Sequence, residues 1–168
     1  KQAILRKEFM LHYQPLVNNA GKIIGMEALL RWNHPELGNI PPDKFIPVAE
    51  ATGMIIDIGT WTLETACRQK KSWEEMGYTG LKVSVNLSTK QLMDDKLVGT
   101  IRDILADNKV DSRGLELEIT ESCIMENPGA AVTKINDLNT MGINFSIDDF
   151  GTGYSSLSYL SRFKVENL

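Results

Sequence analysis

Extended and helical patterns of apolar residues alternate along the chain. Segments with every second residue apolar predict strands, and segments with apolar residues three and four positions apart predict helices. The alternation is typical of βα units and of a mostly parallel sheet. The predicted strands are 9–17, 22–31, 81–88, 115–120 and 143–148, and the predicted helices are 43–52, 57–76, 95–108, 128–141 and 155–162.

The helix at 128–141 is bounded by residues that favour helix ends. Asn127 is placed to cap its amino terminus, Pro128 stands in its first turn, and Gly142 follows its last residue. The longest Gly- and Pro-rich stretch, 33–42, is predicted to be a loop. We find no internal repeat and no linker, so one domain is expected.

Three of the predicted strands carry a polar face, although strands of a parallel sheet that are buried on both sides are usually apolar throughout. The apolar faces of these strands can pack on the helices, so the polar faces should point into the interior. An antiparallel sheet with one solvated face is the alternative, which the intervening helices disfavour. The polar faces consist of Ser84, Asn86 and Ser88, then Glu116, Glu118 and Thr120, and finally Asn144, Ser146 and Asp148.

Carboxylate and amide side chains fall near the carboxyl ends of four predicted strands, where barrel enzymes place their chemistry. They are Glu27, Asn86, Glu118 and Asp148, with Asp149 beside the last. Oxygen ligands without His or Cys suit Mg²⁺, Mn²⁺ or Ca²⁺ better than zinc. The pattern therefore predicts a metal site, with scattered solvated acids as the alternative. Arg31 has the same strand parity as Glu27 and could contact a phosphate or form a surface salt bridge.

Composition narrows the class of protein. The 168 residues include 42% hydrophobic and 24% charged residues, which is typical of a globular domain. The net charge of −4 and the lack of a dense basic run argue against a polymeric nucleic-acid partner. The two cysteines, Cys67 and Cys123, lie among apolar residues and predict core packing in a reducing, cytoplasmic setting. No apolar run approaches the ~20 residues that span a bilayer.

Six ordered motifs resemble the EAL family of cyclic di-GMP phosphodiesterases. They follow the family's order and spacing over essentially the whole chain. The motifs are FMLHYQPLV at 9–17, EALLRW at 27–32, FIPVAEATG at 45–53, VNLS at 85–88, EITES at 118–122 and DDFGTGYSSL at 148–157.

This resemblance implies an α/β fold, a TIM-like (β/α) barrel whose first strand is antiparallel to the others. It makes 1–168 an EAL domain without its C-terminal part, truncated after about five strands, since a barrel of this kind typically needs about 250 residues. The implied activity is hydrolysis of cyclic di-GMP to linear pGpG with one or two Mg²⁺ or Mn²⁺ ions. The family also implies homodimers and a parent protein that carries a GGDEF-like or sensory domain, through which it can be tethered to a membrane.

The resemblance also implies roles for individual residues. Glu27, Asn86, Glu118 and Asp148 resemble the metal ligands, and Asp149 resembles the ligand that reaches a second metal. Glu27 and Asp149 are therefore expected to be essential for catalysis. The remaining residues implied for the site are Arg31 as a phosphate contact, Gln14, Leu29 and Glu50 in the substrate pocket, and Glu121 as the residue that holds the loop at 149–155.

The chain departs from the family's pattern at its C-terminus. The family continues with strands that supply a Lys, an Asp, a Glu and a Gln, and none of these lies before Leu168. We therefore expect residues 1–168 alone to hydrolyse cyclic di-GMP poorly. Two other functions are considered: a non-catalytic cyclic di-GMP-binding module, and an enolase-like lyase that uses Mg²⁺, which Arg31 and the loop motif disfavour.

Overall fold

The computed structural model describes residues 2–148, which form one mixed α/β unit. Six strands, seven helices and a 3-10 turn at Ser112–Gly114 follow one another along the chain. The strands are β1 (Phe9–Val17), β2 (Ile23–His34), β3 (Gly38–Ile40), β4 (Lys82–Asn86), β5 (Leu115–Thr120) and β6 (Asn144–Asp148). The helices are α1 (Gln2–Leu5), α2 (Pro42–Ala51), α3 (Ile55–Glu75), α4 (Thr89–Leu92), α5 (Leu97–Asn108), α6 (Glu121–Glu126) and α7 (Pro128–Thr140).

The strands form a single sheet in the order β1-β2-β4-β5-β6, with β3 paired to β2. β1 runs antiparallel to β2, while β4, β5 and β6 extend the sheet in parallel. The antiparallel first strand and the parallel remainder confirm the predicted fold class. Within residues 2–148 the strand order has two ends, β1 and β6, and no pairing joins them.

One face of the parallel strands forms the main core. The apolar side chains of β4, β5 and β6 are almost fully buried, and they pack with Leu63, Ala66 and Cys67 of α3. Helices α5 and α7 add further apolar side chains to the same cluster. The alternation predicted from the sequence is therefore correct, because the apolar residues of each strand face the helices. The core residues from the strands are Val83, Val85, Leu115, Leu117, Ile119, Phe145 and Ile147.

A second apolar cluster lies between β1, β2, α2 and the start of α3. Its centre is Phe9, whose ring lies 5.5 Å from that of Trp32 and 5.8 Å from that of Phe45. The indole Nε1 of Trp32 donates a hydrogen bond to Glu8 Oε2 at 2.9 Å, so the polar atom of this partly buried ring is satisfied. Phe45 and Ala49 are the buried residues of α2, so this cluster fixes that helix against β2.

The prediction of a loop over 33–42 is wrong in part. β2 continues to His34, and residues 38–40 return as β3, pairing Trp32 with Ile40 and His34 with Gly38. The imidazole Nδ1 of His34 accepts hydrogen bonds from the backbone N–H groups of Glu36 and Leu37, both at 3.2 Å. This local cap and the positive φ of Gly38 (+71°) close a tight turn that hydrophobic periodicity does not reveal.

Other element ends also differ from prediction. The strand predicted at 81–88 ends at Asn86, because Ser88 caps the short helix α4. Helices α1, α4 and α6 were not predicted, since each is too short for a helical period to be visible. The predicted helix at 155–162 lies outside the described residues. Helix α7 is confirmed with its ends: Asn127 caps it, and Gly142 follows with φ +90°.

Both cysteines are buried and unpaired, as predicted, with 0% and 1% of Cys67 and Cys123 exposed. Among the described helices, none combines the length and the hydrophobicity that a membrane span requires.

Leu117 tests the predicted division of β5 into an apolar and a polar face. Its side chain is fully buried, whereas that of Leu37 is 72% exposed in a turn. We expect Leu117→Ala to lower the free energy of unfolding by about 2–5 kcal/mol, because it leaves a cavity in the core. Leu37→Ala, the matched control, should change it by less than about 0.5 kcal/mol. Urea unfolding followed by circular dichroism measures both, and equal effects would contradict the assigned core.

Candidate functional site

The strand register brings the predicted ligands to one rim of the sheet. Glu27 pairs with Ser84, Asn86 pairs with Glu118, and Asp148 pairs with Thr120. Asn86 therefore lies two residues beyond the partner of Glu27, and Asp148 lies two residues beyond the partner of Glu118, so the predicted ligands follow a diagonal across the strands. Strands of a barrel-type sheet are tilted and staggered, so a diagonal of this kind lies at one height of the sheet.

Two hydrogen bonds join polar side chains of neighbouring strands at this rim. The amide Nδ2 of Asn86 donates to Glu27 Oε1 at 2.9 Å, and the hydroxyl of Ser84 donates to Glu118 Oε1 at 2.6 Å. The orientation of the Asn86 amide matters, because Nδ2 is committed to Glu27 and the carbonyl oxygen Oδ1 is the group that could act as a ligand.

Negative charge accumulates around Glu118. The pKa of its carboxyl group is raised to about 7: burial is the largest cause, the nearby carboxylates of Glu27, Asp148 and Glu116 also raise it, and the hydrogen bond from Ser84 lowers it. Glu116, which lies deeper in the same strand, has Lys82 Nζ at 3.5 Å from its Oε2. A cation near Glu118 would therefore relieve a repulsion that the fold itself creates.

The donor chemistry at the rim fits a hard divalent cation. Three carboxylates and one amide oxygen, on four adjacent strands, are the ligand types that Mg²⁺ and Mn²⁺ prefer. Within residues 2–148, however, no three carboxylate, imidazole or thiolate groups are already gathered closely enough to hold an ion. Asp149 lies outside the described residues, so its predicted role at a second metal stays a prediction, as does the complete ligand set.

A cavity of about 330 Å³ opens beside the rim, between β2, α2, α3 and the start of α4. Leu29, Arg31 and Glu50, three of the residues predicted for the substrate pocket, line it together with Asn86. The guanidinium of Arg31 donates one hydrogen bond, from Nη1 to the carbonyl oxygen of Leu30 at 3.0 Å. The predicted phosphate contact and a predicted metal ligand thus line the same cavity.

Gln14 and Glu121 are placed differently. Gln14 is exposed on β1 and pairs with Glu27 across the antiparallel ladder, outside the set of residues that lines the cavity. Glu121 is the first residue of α6, directly after β5, and only 7% of it is exposed. The loop at 149–155 that it is predicted to hold lies outside the described residues, so that role stays a prediction.

Several cavity residues were missed in the sequence analysis. Ser88 and Gln91 line the cavity and form a capping box at the start of α4, in which each residue's side chain bonds to the other's backbone N–H. The spacing Ser-x-x-Gln is a recognised sign of a helix start. The alternation of the strand predicted at 81–88 runs through Ser88, so the capping box is not apparent from the hydrophobic pattern. Thr120 at the end of β5 also reaches the cavity.

Comparison with known proteins agrees with this arrangement. The sequence profile of the EAL domain matches residues 1–168. The bifunctional diguanylate cyclase/cyclic di-GMP phosphodiesterase MucR of Pseudomonas aeruginosa is 45% identical over 169 residues, covering 100% of this chain and 25% of that protein. The cyclic di-GMP phosphodiesterase PdeR of Escherichia coli K12 is 37% identical, covering 99% of this chain and 25% of that protein.

Solved structures show the same likeness. The MucR phosphodiesterase in complex with c-di-GMP superposes with a TM-score of 0.93 at 45% identity, covering 98% of this chain and 67% of that one. Compared with the full sequences of MucR and PdeR, the chain spans about a quarter of their length. Because the profile covers every residue and the relatives match nearly the whole chain, the chain belongs to the EAL domain family.

Proposed function

We propose that this domain hydrolyses cyclic di-GMP to linear pGpG with the help of Mg²⁺ or Mn²⁺. The observation that carries the proposal is the juxtaposition of the acidic rim with the cavity that Arg31 lines. Relatives named as cyclic di-GMP phosphodiesterases, and a similar structure that holds c-di-GMP, support this choice of substrate.

Glu27, Asn86, Glu118 and Asp148 would hold the cation, with Asp149 as a further ligand to a second one. A bound divalent ion would lower the pKa of a water molecule and offset negative charge that develops on the phosphate. The protein's own contribution is the fixed placement of the ligands. The hydrogen bond from Asn86 orients the carboxylate of Glu27, and the hydrogen bond from Ser84 orients the carboxylate of Glu118.

The substrate would lie across the rim with one nucleotide in the cavity. At about 330 Å³ the cavity is at the small end of ligand pockets. Arg31 offers guanidinium N–H groups to a phosphate oxygen, and Leu29 supplies apolar surface. The carboxylate of Glu50 offers acceptors to the amino and imino donors of guanine. Gln14, on the strand beside Glu27, would meet the part of the substrate outside the cavity.

A second candidate is a module that binds cyclic di-GMP without cleaving it. It is favoured by one observation: within residues 2–148, the acidic groups are not yet gathered around a metal position. Binding through Arg31, Leu29 and Glu50 does not require that arrangement. The two candidates differ in whether pGpG is formed from cyclic di-GMP.

We also propose that the domain acts within a longer signalling protein, as in the relatives it matches, and that it forms homodimers.

Glu27→Gln tests the hydrolytic proposal. The change keeps the size of the side chain and removes the negative charge of a proposed ligand. Loss of a hydrogen-bond partner of a metal ligand typically lowers metal affinity or activity about 10–100-fold. Loss of the charge of a ligand itself should cost more, so we expect pGpG release to fall by at least about a hundredfold. Thermal unfolding in the absence of metal should stay within a few degrees of the unmodified protein.

Glu36→Gln is the matched control, since Glu36 is exposed in the turn between β2 and β3. It should leave the rate unchanged. Chromatography of the products with Mn²⁺ present measures pGpG directly. Both rates are measured in the longer signalling protein of which this domain is proposed to be part. Near-normal turnover of Glu27→Gln there would remove Glu27 from the proposed ligand set, and cyclic di-GMP binding without any pGpG from the unmodified longer protein would favour the binding module.

The raised pKa of Glu118, about 7, predicts that metal binding releases protons. A cation displaces the proton only where the carboxyl group is protonated, so release falls as pH rises through that value. From a pKa of about 7 we expect on the order of 0.9, 0.5 and 0.1 protons per Mn²⁺ at pH 6, 7 and 8. Titration calorimetry in buffers of different ionisation enthalpy counts these protons. A release that does not change with pH would contradict the assignment.

A further inference from the structure

We propose that Gln91 is a positioning residue for the metal ligand Asn86, and that the bare backbone of Gly59 is what allows it to act. The inference rests on the proposed function, since it gives Asn86 its role from there. It adds a support for the site that comes from Gln91 of helix α4, packed on Gly59 of helix α3, and that the motifs of the sequence do not include.

Gly59 lies inside α3, where glycine is less favourable than alanine. The structure shows what this glycine permits. A Cβ atom at this position would stand 1.8 Å from Nε2 and 2.5 Å from Cδ of Gln91. The side-chain amide of Gln91 therefore lies directly on the helix backbone, in space that any other residue at position 59 would fill.

The amide that Gly59 accommodates is tied to Ser88. Gln91 Oε1 accepts hydrogen bonds from the backbone N–H of Ser88 at 3.2 Å and from its hydroxyl at 2.9 Å, while the Gln91 N–H donates to Ser88 Oγ at 3.3 Å. Gln91 is only 5% exposed, so these bonds are shielded from water. They set the direction in which the chain leaves β4.

Asn86 lies two residues before Ser88, at the last position of β4. Between them, the N–H of Leu87 donates to the carbonyl oxygen of Glu118 at 2.8 Å, and the Leu87 side chain is buried. Residues 86–88 are therefore held by β5 on one side and by Gln91 on the other. Loss of the Gln91 contact would release only the second restraint, and the Asn86 amide would lose its fixed direction toward Glu27.

The test is a double-mutant cycle between Gly59 and Gln91 in the longer signalling protein of which this domain is proposed to be part, with Mn²⁺ affinity as the main readout. The variants are Gly59→Ala, Gln91→Ala and the two combined, and free Mn²⁺ is measured by electron paramagnetic resonance. Loss of a support for a metal ligand typically costs about 10–100-fold in affinity, so we expect each single variant to bind Mn²⁺ about tenfold more weakly.

The combined variant should bind no more weakly than Gln91→Ala alone, because the added methyl group then has no amide to displace. Gly99→Ala is the matched control: Gly99 is also inside a helix, α5, but nothing lies within 4 Å of a Cβ placed there. It should leave the affinity unchanged. Excess Mn²⁺ should restore kcat for cyclic di-GMP hydrolysis in Gln91→Ala, which a general loss of structure would not allow.

The outcomes separate the two claims. If the unmodified protein binds Mn²⁺ and releases pGpG while Gln91→Ala does both equally well, the positioning role is overturned and the proposed function stands. The same holds if the effects of Gly59→Ala and Gln91→Ala simply add. If the unmodified protein neither binds Mn²⁺ nor releases pGpG, the proposed function is overturned and this inference with it. Should Gly59→Ala fail to fold, Gln91→Ala and Gln91→Met decide, because both remove the acceptor oxygen without adding a clash.

Discussion

The burial of an acidic side chain close to other carboxylates, at one rim of the sheet, is the constraint on which the site depends. Parallel strands normally bury apolar residues on both faces, but here Glu27, Glu118 and Asp148 share one rim, and the pKa of Glu118 rises to about 7 because its charged form is disfavoured there. Because the pKa of Glu118 is raised above its ordinary value, ionised Glu118 destabilises the folded protein as pH rises through about 7. A bound cation would offset this cost.

The two apolar clusters offset this cost and give the rim its shape. The main core presses the outer faces of β4, β5 and β6 against α3, α5 and α7, which fixes the strand register and therefore the diagonal of acidic residues. The aromatic cluster around Phe9 holds α2 against β2, which brings Glu50 to the cavity that Asn86 also lines. Stability and site geometry thus come from opposite faces of the same strands.

The sequence alone predicts most of the strands and long helices, because each has an apolar face with a clear period. β1 and β5 begin and end where the alternation does. It also places Asn86 and Glu118 near the ends of their strands, whereas the prediction for Glu27 is wrong, because β2 continues past Glu27 to His34. What it does not contain is the relation between strands. The pairing of Asn86 with Glu118, the diagonal of ligands and the raised pKa of Glu118 follow from register and burial, which are properties of the folded chain.

Short elements escaped prediction for a similar reason. β3 exists because His34 caps the turn that precedes it, and α4 exists because Ser88 and Gln91 bond to each other. Neither has a hydrophobic period long enough to be recognised. The close contact of Gln91 with Gly59 joins residues far apart in sequence, and only the folded structure reveals why a glycine stands in the middle of α3.

The most direct test of the account is a crystal structure of the protein grown with Mn²⁺, with anomalous scattering used to locate the metal. The account predicts an anomalous peak at the rim, with ligand oxygens from Glu27, Asn86, Glu118 and Asp148. Mn–O distances should be close to the roughly 2.1 Å of small hard cations. A rim that stays free of metal at millimolar Mn²⁺, with the metal bound elsewhere, would contradict it.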